Sequence, residues 1–270
     1  MSTDPTAKPA PPVLLSMSNG IAHITLNRPE AANGMTIELL VALHEAVLAC
    51  HADRTVRAVL LRGNGPHFCA GGDVRTFAAR GEDLPAYIRP ATAHLQNVVG
   101  AMSRLAPPVV ASIQGFAAGG GGLGLVCAVD FVVAAQSSKF LSGGTRVGMA
   151  PDAGVTVTLQ RIVGFRRAMD ILLTNPTLTA EQALEIGLVS RVVPDAELDD
   201  AALGLARQLA DGAPLALAAT KRLLWNGLGS SFEACLPEEA RTVSELSGTA
   251  DAREGLAAVI QKRQPRFLGR

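Results

Sequence analysis

The chain has 270 residues, with 24 basic and 24 acidic side chains, and 48% of its residues are hydrophobic. This length accommodates one large domain or two modest ones, and it excludes a miniprotein that depends on disulfides for stability. A formal charge of zero provides no overall field for nucleic acid or an anionic membrane, so we expect small molecules and further copies of the chain as partners.

The first twelve residues, MSTDPTAKPAPP, predict a disordered arm, because they contain neither the apolar run of a signal peptide nor the arginine pattern of a transit peptide. The uncharged run from 105 to 129 contains Pro107, Pro108 and six glycines, which argues against a membrane-spanning helix. The four cysteines lack metal-ligand spacing, so we expect free thiols and no metal site. These features together predict a cytoplasmic protein.

The first predicted element is a hairpin, because residues 13–17 and 21–27 flank Asn19-Gly20, a pair that favours tight turns. Apolar residues recur at three- and four-residue steps from 36 to 51, which predicts a helix with Thr36 as its N-cap. Residues 56–61 predict a buried strand, and the glycine-rich stretch that follows predicts a functional loop.

The same order of elements then recurs along the chain. A helix over 92–105 is followed by a strand over 109–113, a glycine turn, a short helix over 123–129 and a strand over 131–134. The alternation of strands and helices predicts the α/β class, and the doubled strands around some turns favour ββα units over simple βαβ crossovers.

Helices dominate from residue 151 onward. One of them has a predicted capping box, Thr179 with Gln182, and ends at Gly187 before a short strand over 189–193. Four more helices are predicted over 198–209, 215–224, 232–246 and 251–262, and such a terminal set often packs on another subunit. We therefore divide the chain into the arm (1–12), an α/β core (13–200) and a helical oligomerisation subdomain (201–270).

Two glycine-containing loops are candidates for a site. Gly119, Gly121 and Gly124 match a dinucleotide-binding pattern, but no acidic residue follows at the spacing that a ribose contact would require. Backbone N–H groups at the start of a helix would equally suit an oxyanion, and close helix–strand packing alone would also explain the glycines. The loop over 68–73 likewise precedes a helix, so two sets of N–H donors could converge on one oxygen atom.

Two side chains near these loops have alternative interpretations. Cys69 with His67 suggests a thiol nucleophile, although a lone cysteine among apolar residues is more often buried and inert. Asp152 lies where a loop meets a helix that is predicted to start near Ala153, and it suits either a cap or turn role or that of a catalytic carboxylate.

These segments together resemble the crotonase superfamily, also called the enoyl-CoA hydratase/isomerase family. The resemblance extends from about residue 21 to residue 267, and its segments are 24–30, 68–73, 113–121, Asp130 with 131–135, 187–193, and the ending with Arg263 and Phe267. It implies a crotonase-like spiral of ββα units with a C-terminal trimerisation region. It also implies a homotrimer or a dimer of trimers that binds acyl-CoA thioesters.

In that family two backbone N–H groups hold the thioester oxygen. The resemblance assigns them to Gly72 and Gly121, with Gly120 as the alternative register for the second. No resident cofactor is implied, because coenzyme A enters as part of the substrate. Further substrate or CoA contacts are implied at Ala70, Asp73, Val74, Arg75, Gly120 and Phe267.

The resemblance also bears on the reaction. Both glutamates of the family's hydratases are missing, because the first position is Gly124 or Leu123 and the second is Gly144, so hydration is disfavoured. Asp152 matches the aspartate of phenylacetate-pathway enoyl-CoA isomerases and dienoyl-CoA isomerases, and also the nucleophile of 4-chlorobenzoyl-CoA dehalogenases. The histidine base of the dehalogenases aligns with Gln96, and a tryptophan of their aromatic cage aligns with Gly144.

We therefore predict an enoyl-CoA double-bond isomerase that uses Asp152 as a single carboxylate base, with Gly72 and Gly121 as oxyanion donors. Two alternatives stay open. One is a dehalogenase or thioester hydrolase with Asp152 as the nucleophile, and the other is a non-catalytic acyl-CoA-binding protein. The sequence predicts neither the acyl group nor the choice between trimer and hexamer.

Overall fold

The computed structural model of the protein describes residues 10–270, so most of the predicted arm lies outside the described residues. At the end of the arm, the Pro11 and Pro12 carbonyls accept hydrogen bonds from the side chain and the backbone N–H of Asn27, at 2.9 and 2.8 Å. No helix in residues 10–270 combines the length and the apolar character needed to cross a membrane.

Within these residues the chain forms nine strands in two sheets. The strands are β1 (Val13–Ser18), β2 (Ile21–Leu26), β3 (Ala58–Gly63), β4 (Val109–Ile113), β5 (Phe116–Ala118), β6 (Phe131–Ala135), β7 (Lys139–Leu141), β8 (Leu178–Thr179) and β9 (Arg191–Val193). Six make one sheet in the order β1-β2-β3-β4-β6-β9, in which only the β1–β2 pair is antiparallel. The other three make a small sheet in the order β5-β7-β8.

The same part of the chain forms eleven α-helices. They are α1 (Ile37–Ala52), α2 (Val74–Ala78), α3 (Leu84–Ser103), α4 (Gly119–Ala128), α5 (Val155–Val163), α6 (Phe165–Thr174), α7 (Ala180–Glu185), α8 (Leu198–Ala210), α9 (Pro214–Gly227), α10 (Phe232–Ser247) and α11 (Ala250–Gln261). The alternation of strands and helices up to β9, followed by helices alone, confirms the predicted α/β class.

Helices cover both faces of the six-stranded sheet. On one face, α1, α3 and α4 share an apolar core with sheet side chains such as Leu61 and Ile113. On the other face, α8 buries Leu205 and Ala206 against the neighbouring strand residue Leu60 and its surroundings. The predicted boundary between residues 200 and 201 falls inside α8. The apolar face of this helix packs against the six-stranded sheet.

Local signals in the sequence position several elements correctly. The hairpin turn has Asn19 and Gly20 at φ values of 50° and 75°, as a tight turn requires. Thr36 caps α1, and Thr179 with Gln182 forms the predicted capping box at the start of α7. These features depend on neighbouring residues alone, which is why the sequence predicts them.

Two helices begin earlier than predicted. The helix α4 starts at Gly119 rather than near 123, because its glycines allow close packing: a Cβ on Gly124 would lie 2.5 Å from the Ala153 Cβ. The helix α3 starts at Leu84 rather than near 92 and continues through Pro90, because its apolar face packs against α1. In both cases tertiary packing outweighs the helix-breaking tendency of glycine or proline.

The carboxyl ends of the parallel strands bring the two glycine loops side by side. The loop after β3 runs over 64–73, and the chain after β4 passes through β5 directly into α4. The Cys69 N–H donates to the Phe116 carbonyl at 3.0 Å, and the Ala118 N–H donates to the Cys69 carbonyl at 2.8 Å. Ligand sites of α/β sheets generally lie at this edge, so the fold itself marks the place to search.

The helices α9, α10 and α11 bury few of their side chains. In α9 the one buried residue is Lys221, whose Nζ lies 2.6 Å from Asp130 Oδ2 at the start of β6. After α11 the tail turns back, and the carboxylate of Asp251 accepts the N–H groups of Leu268 and Gly269 at 2.7 and 2.8 Å. Both α10 and α11 expose apolar side chains, namely Phe232, Leu236, Val243, Leu256, Val259 and Ile260.

Candidate active site

The loop that carries Gly72 is held by backbone hydrogen bonds to Met35. The Met35 N–H donates to the Gly71 carbonyl at 2.7 Å, and the Asp73 N–H donates to the Met35 carbonyl at 3.1 Å. These bonds bracket Gly72, whose own N–H reaches no acceptor within residues 10–270. Gly72 therefore presents an unpaired backbone donor at a fixed place.

Asn33 holds the same loop from inside the protein. Its side-chain amide donates to the Asn64 and His67 carbonyls at 2.9 and 2.8 Å, and its Oδ1 accepts from the Arg28 N–H at 2.8 Å. The residue is fully buried and has a left-handed backbone, with φ at 53°, which asparagine tolerates better than most residues. Asn33 thus ties the end of β2 to the loop after β3.

Asp73 anchors the helix that follows the loop. Its Oδ1 accepts the Thr76 N–H at 3.0 Å as the N-cap of α2, and its Oδ2 lies 3.0 Å from the Arg28 guanidinium. Burial opposes ionisation, but the hydrogen bonds from Thr76 and Arg28 outweigh it and hold the pKa of Asp73 below its ordinary value. Both oxygens are therefore engaged with protein groups, and the substrate contact of Asp73 stays a prediction.

The second set of donors lies at the start of α4. Gly119, Gly120 and Gly121 occupy its first three positions, where a backbone N–H has no partner one turn earlier. Ala118 at the N-cap supplies no side-chain acceptor. This end of the helix also carries the positive end of the macrodipole, so it would stabilise a negative charge.

The two loops touch where these donors lie. Gly71 has φ at 92°, and a Cβ there would lie 2.7 Å from the Ala118 carbonyl oxygen. A Cβ on Gly119 would lie 3.0 Å from the Gly71 Cα and 3.7 Å from the Gly72 nitrogen. Such an approach is open only to glycine, and it brings the Gly72 donor beside the first turn of α4.

Asp152 lies against the same turn of α4. A Cβ on Gly120 would overlap Asp152 Oδ1, so the carboxylate is in contact with the Gly120 backbone. It follows Pro151 in a tight turn in which Ala153 and Gly154 both have positive φ, at 54° and 75°. A left-handed alanine is uncommon, and backbone strain of this kind often marks a functional site.

The structure does not assign Asp152 the N-cap role that the sequence allows. The helix α5 begins at Val155, two residues later than predicted, and Gly154 is its N-cap. Among residues 10–270 no other residue donates a hydrogen bond to the Asp152 side chain. Burial raises the pKa of this carboxyl above its ordinary value, and a hydrogen bond from its own backbone opposes the rise only in part.

The resemblance places the two glutamates of hydratases at Gly124 or Leu123 and at Gly144, and none of these residues has a carboxylate. Gly124 lies one turn after Gly120 on α4, and a Cβ there would meet the Ala153 methyl group at 2.5 Å. Gly144 lies at the start of a 3-10 turn, where a Cβ would be 3.3 Å from the Met149 carbonyl oxygen. Neither position adds a carboxylate to the one at 152.

The proposed thiol nucleophile does not fit its surroundings. Cys69 is completely buried, and its Sγ donates to the Asn33 carbonyl at 3.3 Å. Burial raises the pKa of this thiol to about 12, so it stays protonated near neutral pH. His67 accepts a hydrogen bond from the Phe116 N–H at Nδ1 instead of serving Cys69. The alternative with Cys69 as nucleophile is therefore wrong.

The remaining residues that the sequence predicts to contact the substrate or coenzyme A are Ala70, Val74, Arg75 and Phe267. The Ala70 N–H donates to the Ala32 carbonyl at 3.0 Å, so Ala70 belongs to the same loop framework. Val74 and Arg75 are exposed in α2, next to the loop. Phe267 belongs to the C-terminal tail, where its ring packs against Gly255. Their roles in binding stay predictions.

Four residues of the site were not identified as such from the sequence. Met35, Asn33 and Arg28 position the Gly72 loop, and the Phe77 ring lies where a side chain on Gly72 would project. Their contacts join segments far apart in the sequence, so no periodic pattern marks them. The usable signal is the location of Arg28, which lies two residues after the carboxyl end of β2.

Comparison with known proteins agrees with this geometry. Residues 16–270 match the family model described as Enoyl-CoA hydratase/isomerase. A Rhodobacter capsulatus protein named "probable enoyl-CoA hydratase" is 39% identical, over 94% of this chain and 96% of its own. The 1,2-epoxyphenylacetyl-CoA isomerase of Escherichia coli is 35% identical, over 96% and 98%. A crystal structure of an enoyl-CoA hydratase from Bacillus anthracis superposes with a TM-score of 0.90 at 31% identity, over 96% of this chain and all of that one.

Proposed function

The chain belongs to the enoyl-CoA hydratase/isomerase family, with the spiral fold of its members, and from that premise we propose that it is an enoyl-CoA double-bond isomerase with Asp152 as its one base. Membership makes it an acyl-CoA-processing enzyme. Its relatives include proteins named as hydratases and as isomerases, so the choice between these reactions depends on the residues of the site.

The observation that carries the proposal is a single carboxylate next to unpaired donors. Asp152 contacts the first turn of α4, beside the N–H groups of Gly72 and Gly121. Positions 124 and 144 are glycines, so they supply no second carboxylate to hold and deprotonate a water molecule. A shift of a double bond needs only one base, because the same carboxylate can remove one proton and, once protonated, donate one at the other carbon.

In this mechanism the thioester oxygen accepts hydrogen bonds from the Gly72 and Gly121 N–H groups. Asp152 removes a proton from the carbon between the carbonyl and the double bond, which leaves a dienolate whose negative charge lies partly on that oxygen. The protonated Asp152 then returns the proton two carbons away, so the double bond moves and no water is consumed. An ordinary aspartate, with pKa about 3.9, is too weak a base for this step unless the donors stabilise the oxyanion.

The other expected properties follow from the same proposal. Coenzyme A enters and leaves with the substrate, and one carboxylate both takes up and donates the proton, so the proposed reaction needs no resident cofactor. The apolar side chains exposed on α10 and α11 support assembly as a homotrimer or a dimer of trimers, because isolated monomers rarely expose such a cluster.

The test follows proton exchange and double-bond migration of a 3-enoyl-CoA in deuterated water by mass spectrometry. We expect wild type to give the 2-enoyl isomer with deuterium, and Asp152→Asn to lose at least about 10²-fold in rate. Asp170→Asn, at an exposed aspartate on α6, is the matched control and should retain full activity.

Three outcomes would contradict the proposal. A product heavier by one water would indicate hydration, and an Asp152→Asn variant as active as wild type would remove the assigned base. Tight binding of CoA thioesters by a wild-type protein that turns over none of them would instead indicate a binding protein.

A further inference from the structure

We infer that Met35 is a positioning residue that fixes the two oxyanion donors relative to each other, an inference that rests on the proposed function. Met35 lies in the turn between β2 and α1, outside both glycine loops. It contacts the loop of Gly72 through its backbone and the helix of Gly121 through its side chain. One residue thereby joins the two halves of the donor pair.

The backbone contact constrains Gly72 on both sides. Met35 pairs with Gly72 in a parallel bridge, in which it bonds to Gly71 at 2.7 Å and to Asp73 at 3.1 Å. Since the bonds flank Gly72, its peptide plane cannot rotate without breaking one of them. The turn that holds Met35 is itself rigid, because Asn33 and its neighbour Ala32 have left-handed backbones held by hydrogen bonds.

The side-chain contact constrains the start of α4. The Met35 thioether runs along the Gly121 backbone, so a Cβ on Gly121 would overlap its sulfur and lie 3.1 Å from Cε. Met35 is only 4% exposed, so its side chain has no free space to withdraw into without disturbing the core. The thioether therefore sets how closely the Gly121 end of α4 approaches the Gly72 loop.

The expected effect on the reaction is large for a residue that touches no reacting atom. Donors act on an oxyanion only when they are held within about 0.5 Å of the productive geometry. The loss of one donor typically lowers kcat by about 10²–10³-fold. Truncation of Met35 leaves both N–H groups in the chain but no longer fixes their relative position. We therefore expect it to lower kcat by at most the factor lost with one donor.

The test measures polarisation of a bound carbonyl rather than activity alone. The probe is 4-dimethylaminocinnamoyl-CoA, whose absorption moves to longer wavelength when its thioester oxygen accepts strong hydrogen bonds. We expect a red shift with wild type, a similar shift with Met35→Leu, which retains the volume, and loss of most of the shift with Met35→Ala. On the 3-enoyl substrate, Met35→Ala should lower kcat by about 10–10²-fold, while KM changes by less than about threefold.

Met102 provides the matched control. It is a methionine of α3 that is 1% exposed, and it lies in the same core cluster. Met102→Ala should therefore lower the melting temperature about as much as Met35→Ala, since both remove a buried side chain. It should leave the red shift and kcat unchanged, because the backbone hydrogen bonds that flank Gly72 are made by Met35 and none of them involves Met102.

A second pair of variants tests the contact itself. Gly121→Ala inserts a methyl group into the Met35 sulfur, so it should reduce the red shift on its own. In the double variant, Met35→Ala removes the atoms that overlap with the new methyl group, so the methyl group has room. The double variant should recover more of the shift than two independent effects would allow.

The outcomes separate this inference from the proposed function. If the wild-type protein binds the probe without a red shift, the oxyanion site itself is wrong. If wild type shifts the band and isomerises 3-enoyl-CoA but Met35→Ala behaves like Met102→Ala, the proposed function stands and the role of Met35 is overturned.

Discussion

Asp152 has the chemistry of a weak base, and its neighbours determine whether it can act. It is half-buried against the Gly120 backbone, and the left-handed Ala153 holds it there. The carboxyl receives no hydrogen bond from another residue within the described range, in contrast to Asp73, whose oxygens are both engaged. The two aspartates thus differ in what surrounds them: one is an anchor and the other is available for a reaction.

The first prediction concerns the pH dependence of activity. Under the proposed function, catalysis requires the ionised form of Asp152, and burial raises its pKa above the ordinary value of 3.8. We therefore expect kcat/KM to fall on acidification through a pKa that is higher than 3.8, and to level off above it. A pH–rate profile with the 3-enoyl substrate measures this value, and an acid limb at or below 3.8 would contradict the burial of the base.

The second prediction concerns stability and has the opposite sign. Because burial disfavours the charged carboxyl, the stability contributed by its protonated form is present below pH 3.8 and is lost as the pH rises through the raised pKa. Asp152→Asn removes this loss, so it should raise Tm at pH 7 by roughly 1–3 °C. The gain should disappear near pH 3, where wild type is protonated too, and scanning calorimetry at the two pH values tests both statements.

The third prediction uses the glycine next to this carboxylate. Gly120→Ala forces a methyl group onto Asp152 Oδ1, so it should displace the base and lower kcat by at least about 10²-fold. Gly204→Ala is the control, because no heavy atom lies within 4 Å of a Cβ there. That change in α8 should raise stability by about 0.5–1 kcal/mol and leave kcat unchanged. Full activity of Gly120→Ala would show that the contact does not matter.

At the residue scale, the sequence predicts the groups that do chemistry better than the groups that hold them. Asp152 stands out because the candidate glutamate positions, Gly124 or Leu123 and Gly144, all lack a carboxylate. Met35 and Asn33 do not stand out, because they contact residues far along the chain. Met35 bonds to Gly71 and Asp73. The Asn33 side chain bonds to Asn64 and His67, which lie 31 and 34 positions away. Contacts of this kind follow from the fold rather than from local composition.

At the scale of elements, α9 is joined to the core by charge more than by apolar packing. Lys221 is its one buried residue, and Asp130 also accepts hydrogen bonds from the Val109 N–H at 2.8 Å and the Trp225 indole at 3.2 Å. Burial lowers the pKa of Lys221, while the nearby Asp130 carboxylate acts in the opposite direction. An open cavity of about 370 Å³ lies beside α9 and has Leu217 and Leu224 in its wall, so apolar contact there is incomplete.

The fourth prediction tests this attachment. Lys221→Met keeps most of the side-chain volume but leaves the Asp130 charge buried without its cation, so it should lower the free energy of unfolding by about 3–5 kcal/mol. Arg241→Ala breaks an exposed ion-pair network on α10 and should lower the free energy of unfolding far less than Lys221→Met does, because solvent screens exposed charges. Urea unfolding measures both losses. In the Lys221→Met variant, amide hydrogen exchange should be faster in α9 than in the six-stranded sheet. Equal losses in the two variants would contradict the attachment.

The elements that the sequence does not predict correctly lack a local signal in the chain. The start of α4 at Gly119 is stabilised by close contacts with Met35, Cys69 and Ala153, which compensate for the low helix propensity of glycine. The small sheet of β5, β7 and β8 consists of strands of two or three residues, too short for an alternating pattern. The strands and capped helices that were predicted correctly are those with a local signal.

At the scale of the whole molecule, the last two helices are distinguished by the apolar side chains that they expose. Val259 and Ile260 on α11 are 78% and 80% exposed, and α10 also exposes apolar side chains, among them Phe232 and Val243. In contrast, the apolar side chains of the central strands β3 and β4 are buried by helices of the same chain on both faces of the sheet. The uneven distribution supports the expectation that copies of the chain associate through these helices.

The fifth prediction is that charges on this surface dissociate the assembly. Val259→Lys combined with Ile260→Asp should reduce the molar mass measured by light scattering to that of a smaller species, without a change in far-UV circular dichroism. Leu14→Lys on β1, also exposed, serves as a control and should leave the mass unchanged. A double variant with the wild-type mass would show that α11 is not the interface.

The unpaired donors of the site belong to the backbone, and this has a consequence for how the protein can change over generations. A peptide N–H survives the replacement of any side chain that the fold tolerates, so machinery that stabilises an oxyanion is not easily lost by mutation. The placement of carboxylates at 124, 144 and 152 depends on single codons. Under the proposed function, a change of reaction on the same thioester therefore depends on the side chains around the donors, while the donors themselves stay in the backbone.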